Sequence, residues 1–280
     1  MSENVQKTLR DSAALRWLAL ILLAGAMFCS YIFMDILSPI KDLMWDTKGW
    51  DSTAFGTMQG SETFLNVFVF FLIFAGIILD KMGVRFTAIL SGAVMLVGAS
   101  INWYALTDMF AGSNLEVWFN EHLNYIPGFD ELGVSPFYKG MPASAKFSAI
   151  GFMIFGCGVE MAGITVSRGI VKWFKGREMA LAMGSEMALA RLGVATCMIF
   201  SPMFARLGGE VSVSRSVAFG VVLLMVALIM FIVYAFMDKK LDSQTGEAEE
   251  KDDPFKLSDL GKILTDSGFW LVALLCVLYY

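Results

Sequence analysis

Histidine is all but missing from this 280-residue chain: His122 is the only one. No His-Glu-x-x-His metal site and no Gly-x-Gly-Asp aspartyl element occurs, and the single His lies outside the apolar stretches, which excludes the usual intramembrane proteases. Cysteine is scarce as well. Cys29, Cys157, Cys197 and Cys276 all fall in apolar stretches and read as small core residues, not as a disulfide framework or a metal set. No Asn-x-Ser/Thr sequon is present, so N-glycosylation is not expected. Charge is thin too: 17% of residues are Asp, Glu, Lys or Arg, too few to clothe a soluble domain of this length. No ladder of Lys or Arg suggests a voltage sensor, and no repeat suggests an ion filter. These absences point away from an enzyme and from any cofactor or metal.

What is abundant is apolar: 57% of the residues are hydrophobic, with 24 Phe and 19 Met. A bilayer core needs about 20 apolar residues per helix. Six stretches meet that length with their flanks: 17–38, 64–79, 86–106, 147–171, 179–204 and 217–236. A seventh starts at Phe269 and has run roughly half a span by Tyr280, as expected for the beginning of another helix. The first stretch contains a signal-peptide-like Ala24-Gly25-Ala26, but its apolar run continues to Leu37, so it reads as an uncleaved membrane helix. The expected class is an all-α, multi-pass membrane protein. Its expected divisions are a six-helix bundle over 1–237, a linker over 238–266 and the start of a seventh helix over 267–280.

Basic residues orient the bundle. Lys7, Arg10 and Arg16 precede the first stretch, and Lys81 and Arg85 join the second to the third. Arg168, Lys172, Lys175 and Arg177 join the fourth to the fifth, and Lys239, Lys240, Lys251, Lys256 and Lys262 follow the sixth. The opposite loops hold only Lys41, Lys48, Lys139, Lys146, Arg206 and Arg215. A cytoplasmic N-terminus follows, in what is expected to be a bacterial inner membrane.

Two soluble pieces stand out. The outer loop 108–146 carries Trp118, Phe119, Tyr125, Phe129, Phe137 and Tyr138 among Gly, Pro and acidic residues. It suits either a small folded cap or an ordered loop without function. The inner link is acidic and polar over 243–253. Asp253 and Pro254 then supply an N-cap and first-turn proline for a loosely amphipathic surface helix through Leu264.

Motifs narrow the class. Gly76, Asp80, Lys81, Gly83 and Arg85 lie in the turn between the second and third stretches. Gly76 would let a neighbouring helix approach, Gly83 can adopt the positive φ of a tight reversal, and Asp80, Lys81 and Arg85 can form ion pairs. The spacing resembles the helix 2–3 signature of the major facilitator superfamily, Gly-x-x-x-Asp-Arg/Lys-x-Gly-Arg/Lys-Arg/Lys, with Val84 departing where a cation is usual. That resemblance implies the N-terminal half of a twelve-helix carrier, built from three-plus-three inverted repeats, with this turn acting as a conformational gate.

Charges within the apolar stretches mark the candidate site, since one at mid-helix costs about 2.5–3.5 kcal/mol on insertion scales. They are Asp35, Glu160, Glu186 and Arg191. Glu160 precedes the turn at Lys175 and Gly176 by about fourteen residues and Arg191 follows it by about sixteen, so at ~1.5 Å per residue both sit roughly 20 Å deep. Glycines flank both, thinning the helices. A buried pair that only fixes helix register is the competing reading. Asp35 lies near the outer end, and Glu186 lies about 140° round its helix from Arg191.

The same stretch, through Gly156, Gly158 and Glu160, then Trp173, Phe174, Lys175, Gly176, Arg177 and Glu178, then Ala190, Arg191, Leu192 and Gly193, resembles the facilitator branch containing the lysosomal dipeptide transporters. The resemblance implies that Glu160 and Arg191 contact the two charged ends of a zwitterion such as a dipeptide, with Tyr31 and Asp35 nearby. A carrier for sugars, organic anions or drugs, and a non-transporting relative, are the alternatives. The partners implied are a small-molecule substrate, membrane lipid, the C-terminal half and, for a coupled carrier, protons; nothing points to nucleic acid.

Overall fold

The computed structural model describes residues 8–124, 135–245, 261, 263 and 265–279. It is helical, with no strand among the described residues. The helices are α1 (Ala13–Met34), α2 (Lys41–Lys48), α3 (Ser52–Phe68), α4 (Phe71–Leu106), α5 (Asn114–His122), α6 (Ala143–Trp173), α7 (Met179–Ala205), α8 (Val213–Thr245) and α9 (Ser267–Tyr279). Five stretches among the described residues are long and apolar enough to cross a membrane: Ala13–Lys48, Phe71–Leu106, Ala143–Trp173, Met179–Ala205 and Val213–Gln244.

Chain direction follows from the contacts. Ser61 Oγ donates to the Ala149 carbonyl at 3.0 Å, and Asp80 pairs with Arg168 at 2.5 Å, so α3 and the start of α4 run parallel to α6. Beyond Gly83 the order inverts. A Cβ at Gly158 would touch Met95, and Asn102 Nδ2 donates to Ser148 Oγ at 2.8 Å. The rest of α4 therefore runs antiparallel to α6, and the reversal falls at Gly83, whose φ of 78° only glycine adopts cheaply. α4 thus holds the end of the second expected stretch and all of the third.

The second stretch is also broken. α3 ends at Phe68, and α4 restarts after Phe70, which sits at φ 55°. A bulky residue in the left-handed region costs about 1–3 kcal/mol. The Phe70 carbonyl begins the new helix by accepting the Ile73 N–H at 3.0 Å.

Packing relies on small residues rather than on bulk. Gly98 and Gly151 bring α4 and α6 to backbone contact, since a Cβ on either would lie within 2.6 Å of the other helix. Without a hydrophobic drive between helices in lipid, such close approach is what holds them. α7 runs beside α1 in the same direction: Gly193 seats on Phe28 and Tyr31, and Ser201 Oγ donates to the Ile36 carbonyl at 2.5 Å. Cys29, Cys157 and Cys197 are free and buried, as small core residues should be.

The outer loop contains α5, capped by Ser113, whose hydroxyl accepts the Glu116 N–H at 3.2 Å. Phe110 and Phe119 bury against Ala143, Phe147 and Tyr104 at the start of α6 and end of α4. Lys146, counted with the outer loop, is 1% exposed and donates to the Phe119 carbonyl and Asn124 Oδ1, both at 3.1 Å. His122 is exposed and stacks on Trp118. Tyr125 and Phe129 lie outside the described residues, as does most of the proposed surface helix after Pro254. α8 continues past 237 to Thr245, so Asp238 and Asp242 belong to the bundle rather than to a linker.

Candidate functional site

Residues from α1, α3, α6 and α7 make up the candidate site. Tyr31 and Asp35 are four residues apart, one on α1 and one at its C-terminal boundary, and so share a face. Asp35 accepts from the Ser38 hydroxyl at 3.2 Å. Arg191 on α7 lies over the Tyr31 ring, 5.8 Å from its centroid, a cation–π contact of about 0.5–1 kcal/mol where exposed. Gly193 makes this possible: one turn of α7 rests directly on the Phe28 carbonyl and Tyr31.

A further carboxylate joins two of the three expected ones, Asp35 and Glu160. Glu62 of α3 is 9% exposed and within electrostatic reach of both Glu160 and Asp35. Gly156 sets this juxtaposition, because a Cβ there would lie 2.0 Å from the Glu62 carbonyl oxygen. The α6 glycines therefore differ in role. Gly156 and Gly158 are packing contacts, whereas Gly163, like Gly184 on α7, faces open space. Glu62 belongs to a polar stripe with Gln59 and Asn66, at helical spacing on one side of α3. Gln59 Nε2 donates to the Met34 carbonyl at 3.1 Å, while its Oε1 and both amide atoms of Asn66 are buried without hydrogen-bond partners among the described residues. Glu186 is half-buried on α7, on another side of that helix from Arg191.

At one end of the bundle the gate residues are tied across helices. Asp80 pairs with Arg168 of α6. Arg85 pairs with Asp242 of α8 at 3.0 Å, and Lys172 bridges Asp238 and Asp242, both at 2.7 Å. Asp238 is fully buried and also accepts the Trp173 indole N–H at 3.0 Å. Lys81 is exposed. At Gly76 the structure differs from the sequence reading: among the described residues nothing lies within 4 Å of a Cβ there, so no described helix packs on it. The close approaches are made instead by glycines deeper in α4 and α6.

Sequence reasoning missed Glu62, Arg168, Asp238 and Asp242. The spacing of Gln59, Glu62 and Asn66 was a legible signal for the first. Arg168 was counted only as a loop charge, and Asp238 and Asp242 fell within the expected linker.

Comparison with known proteins places the chain in a family. The family model for the Major Facilitator Superfamily matches residues 23–280. The lysosomal dipeptide transporter MFSD1 of Homo sapiens is 23% identical over 274 residues, 95% of this chain and 51% of that protein. The Pongo abelii protein of the same name aligns over the same shares at 23% identity. The Danio rerio one is 27% identical over 139 residues, 47% of this chain and 30% of its own length. The chain thus spans about half the length of the curated relatives it matches. No solved structure matches it. It is an integral, multi-pass membrane chain that belongs to the Major Facilitator Superfamily of transporters.

Proposed function

We propose that this chain forms one wall of a carrier for small zwitterions, dipeptides above all, with its N-terminus in the cytoplasm. The observation behind this reading is charge placement. Glu62 interacts electrostatically with Glu160 and Asp35, and the Arg191 guanidinium lies over Tyr31, one turn of α1 from Asp35. An ammonium group suits the carboxylates. A carboxylate suits Arg191, whose planar fork can grip it bidentately as Lys does not. The unbonded amide atoms of Gln59 and Asn66 offer donors and acceptors to a peptide bond between the two charged ends. The names of the MFSD1 relatives support the same substrate class. Alternating access would place the site between this bundle and a second one, with Asp80, Lys81, Gly83 and Arg85 at the gate and Gly76 outside its packing.

Binding of capped and uncapped peptides to the full-length carrier tests the proposal. Leaving one substrate charge unpaired in a desolvated site costs about 2–5 kcal/mol, a 30-fold or larger loss of affinity. Arg191→Lys should weaken free-carboxylate peptides by that factor and amidated peptides much less. Glu160→Gln should spare N-acetylated peptides. Equal wild-type affinity for capped and uncapped peptides would remove the zwitterion reading and leave these charges a structural role.

A further inference from the structure

The second span is divided where its sequence gives no reason for a division. Residues 67–74 contain no Gly, Pro, Asn or Asp, the residues that end helices cheaply. The α3 ladder nevertheless stops with the Val69 N–H donating to the Leu65 carbonyl at 3.1 Å, and α4 restarts with the Ile73 N–H on the Phe70 carbonyl at 3.0 Å. Between them Phe70 stands at φ 55° and ψ 37°. Its side chain is 64% exposed, and Val67, Val69, Leu72 and Phe74 are exposed as well. Among the described residues no packed core rewards the left-handed turn. The same residues would form a continuous helix if Phe70 moved to the right-handed region.

The two sides of the break carry different duties. Before it, α3 holds Glu62 and is fixed to α6 by the Ser61 hydroxyl and by the close approach at Gly156. After it, Ala75 and Leu79 are buried and Asp80 pairs with Arg168. The break therefore separates candidate site from gate within one span, and each part is anchored to α6 on its own. Other ties at the gate end hold α1 rather than this span: Arg16 pairs with Glu178 at 3.6 Å and donates to the Arg10 carbonyl at 2.8 Å.

We propose that residues 69–70 are a hinge of the second span. With Asp80 tied to Arg168 the span is held broken; release of that pair lets Phe70 leave the left-handed region and the span straighten. Hinges are a few element-terminal residues that absorb a large φ/ψ change. Here the change centres on one residue, and the conformation held is the costlier one. Straightening moves the Glu62 part against the Asp80 part, so gate and site respond together. The hinge rests on the alternating-access reading given above.

The test is distance measurement by double electron–electron resonance on the full-length carrier in liposomes, without substrate. Nitroxides are placed on Gly56→Cys and Phe74→Cys, both exposed positions, in a background free of other cysteines. An unbroken helix over that stretch separates them by about 27 Å, and the broken span holds them closer. Two distance populations are expected. Phe70→Gly removes the cost of the positive φ and should raise the short-to-long ratio about fivefold or more. Phe70→Ala keeps that cost and favours helix, and should lower the ratio about twofold. Asp80→Asn should also lower it, by about twofold or more. Thr63→Gly, within the regular part of α3, should leave it unchanged. Opposite shifts at Phe70 together with the Asp80→Asn response support the hinge. A single distance unmoved by either Phe70 variant, shifts of the same sign in both, an equal shift in Thr63→Gly, or no shift in Asp80→Asn overturns it. No peptide is present, so failure here leaves the zwitterion reading standing, and equal affinity for capped and uncapped peptides leaves the hinge standing.

Discussion

Replacing Gly156 with alanine should separate two jobs that glycine performs on the same helix. The added Cβ would lie 2.0 Å from the Glu62 carbonyl oxygen and 2.8 Å from its carbonyl carbon, where ordinary contact begins near 3.4 Å. The obstruction is backbone, not the tip of a flexible side chain, so α3 has to retreat by about 1.4 Å. Overpacking of this kind costs about 1–3 kcal/mol. Alanine also gains about 0.5–1 kcal/mol in a helix interior. Gly163 supplies the control, seven residues further along α6, because nothing lies within 4 Å of its Cβ position. Both variants receive the helix gain, so their difference isolates the clash. Reversible unfolding in mixed anionic and neutral micelles should place Gly156→Ala about 1–3 kcal/mol below Gly163→Ala. Gly156→Ala should also weaken substrate binding, since Glu62 moves with α3, while Gly163→Ala tests whether the open side admits one methyl. Equal stability of the two variants would refute the packing argument.

Further outcomes follow from other contacts. Asp80→Asn removes one partner of Arg168 at the gate; it should slow maximal flux while leaving equilibrium substrate binding within a few-fold, and normal flux with altered affinity alone would exclude a gating role. Lys172→Met leaves buried Asp238 without its cation and should cost about 3–5 kcal/mol in the same unfolding assay, with Asp238→Asn in the Lys172→Met background recovering part of the loss. Cysteines placed at exposed Asn120 and Ser243 should react with an impermeant maleimide from opposite sides of the membrane, and labelling of both from one side would overturn the proposed orientation.

The long apolar helices were legible because lipid demands them: 147–171 lies within α6 and 217–236 within α8. The reversal at Gly83 was legible for a similar reason, since a glycine between charged residues is where a chain turns cheaply. α3 was not fully legible. Its first part is rich in Thr, Gln, Ser, Glu and Asn, and hydropathy reads such a segment as loop, yet its polar face is buried by α6 and the end of α1. The break at Phe70 carries no Gly or Pro to announce it. α2 was hidden in a short charged segment; Trp50 just after it buries completely and donates to Ser144 at 2.9 Å. At the site, Glu160 and Arg191 could be matched in depth from helical rise alone. The neighbours that Arg191 and Glu160 meet, Tyr31 and Glu62, depend on which glycines let which helices touch, and that pattern is tertiary.

The pairing of Arg16 with Glu178 has a consequence for synthesis. α1 leaves the ribosome well before α7, carrying a cation whose native carboxylate is encoded about 160 residues later, roughly 10–30 s at ordinary elongation rates. Until Glu178 follows at the N-terminal boundary of α7, Arg16 has only contacts nearer in the chain to draw on, the Arg10 carbonyl among them.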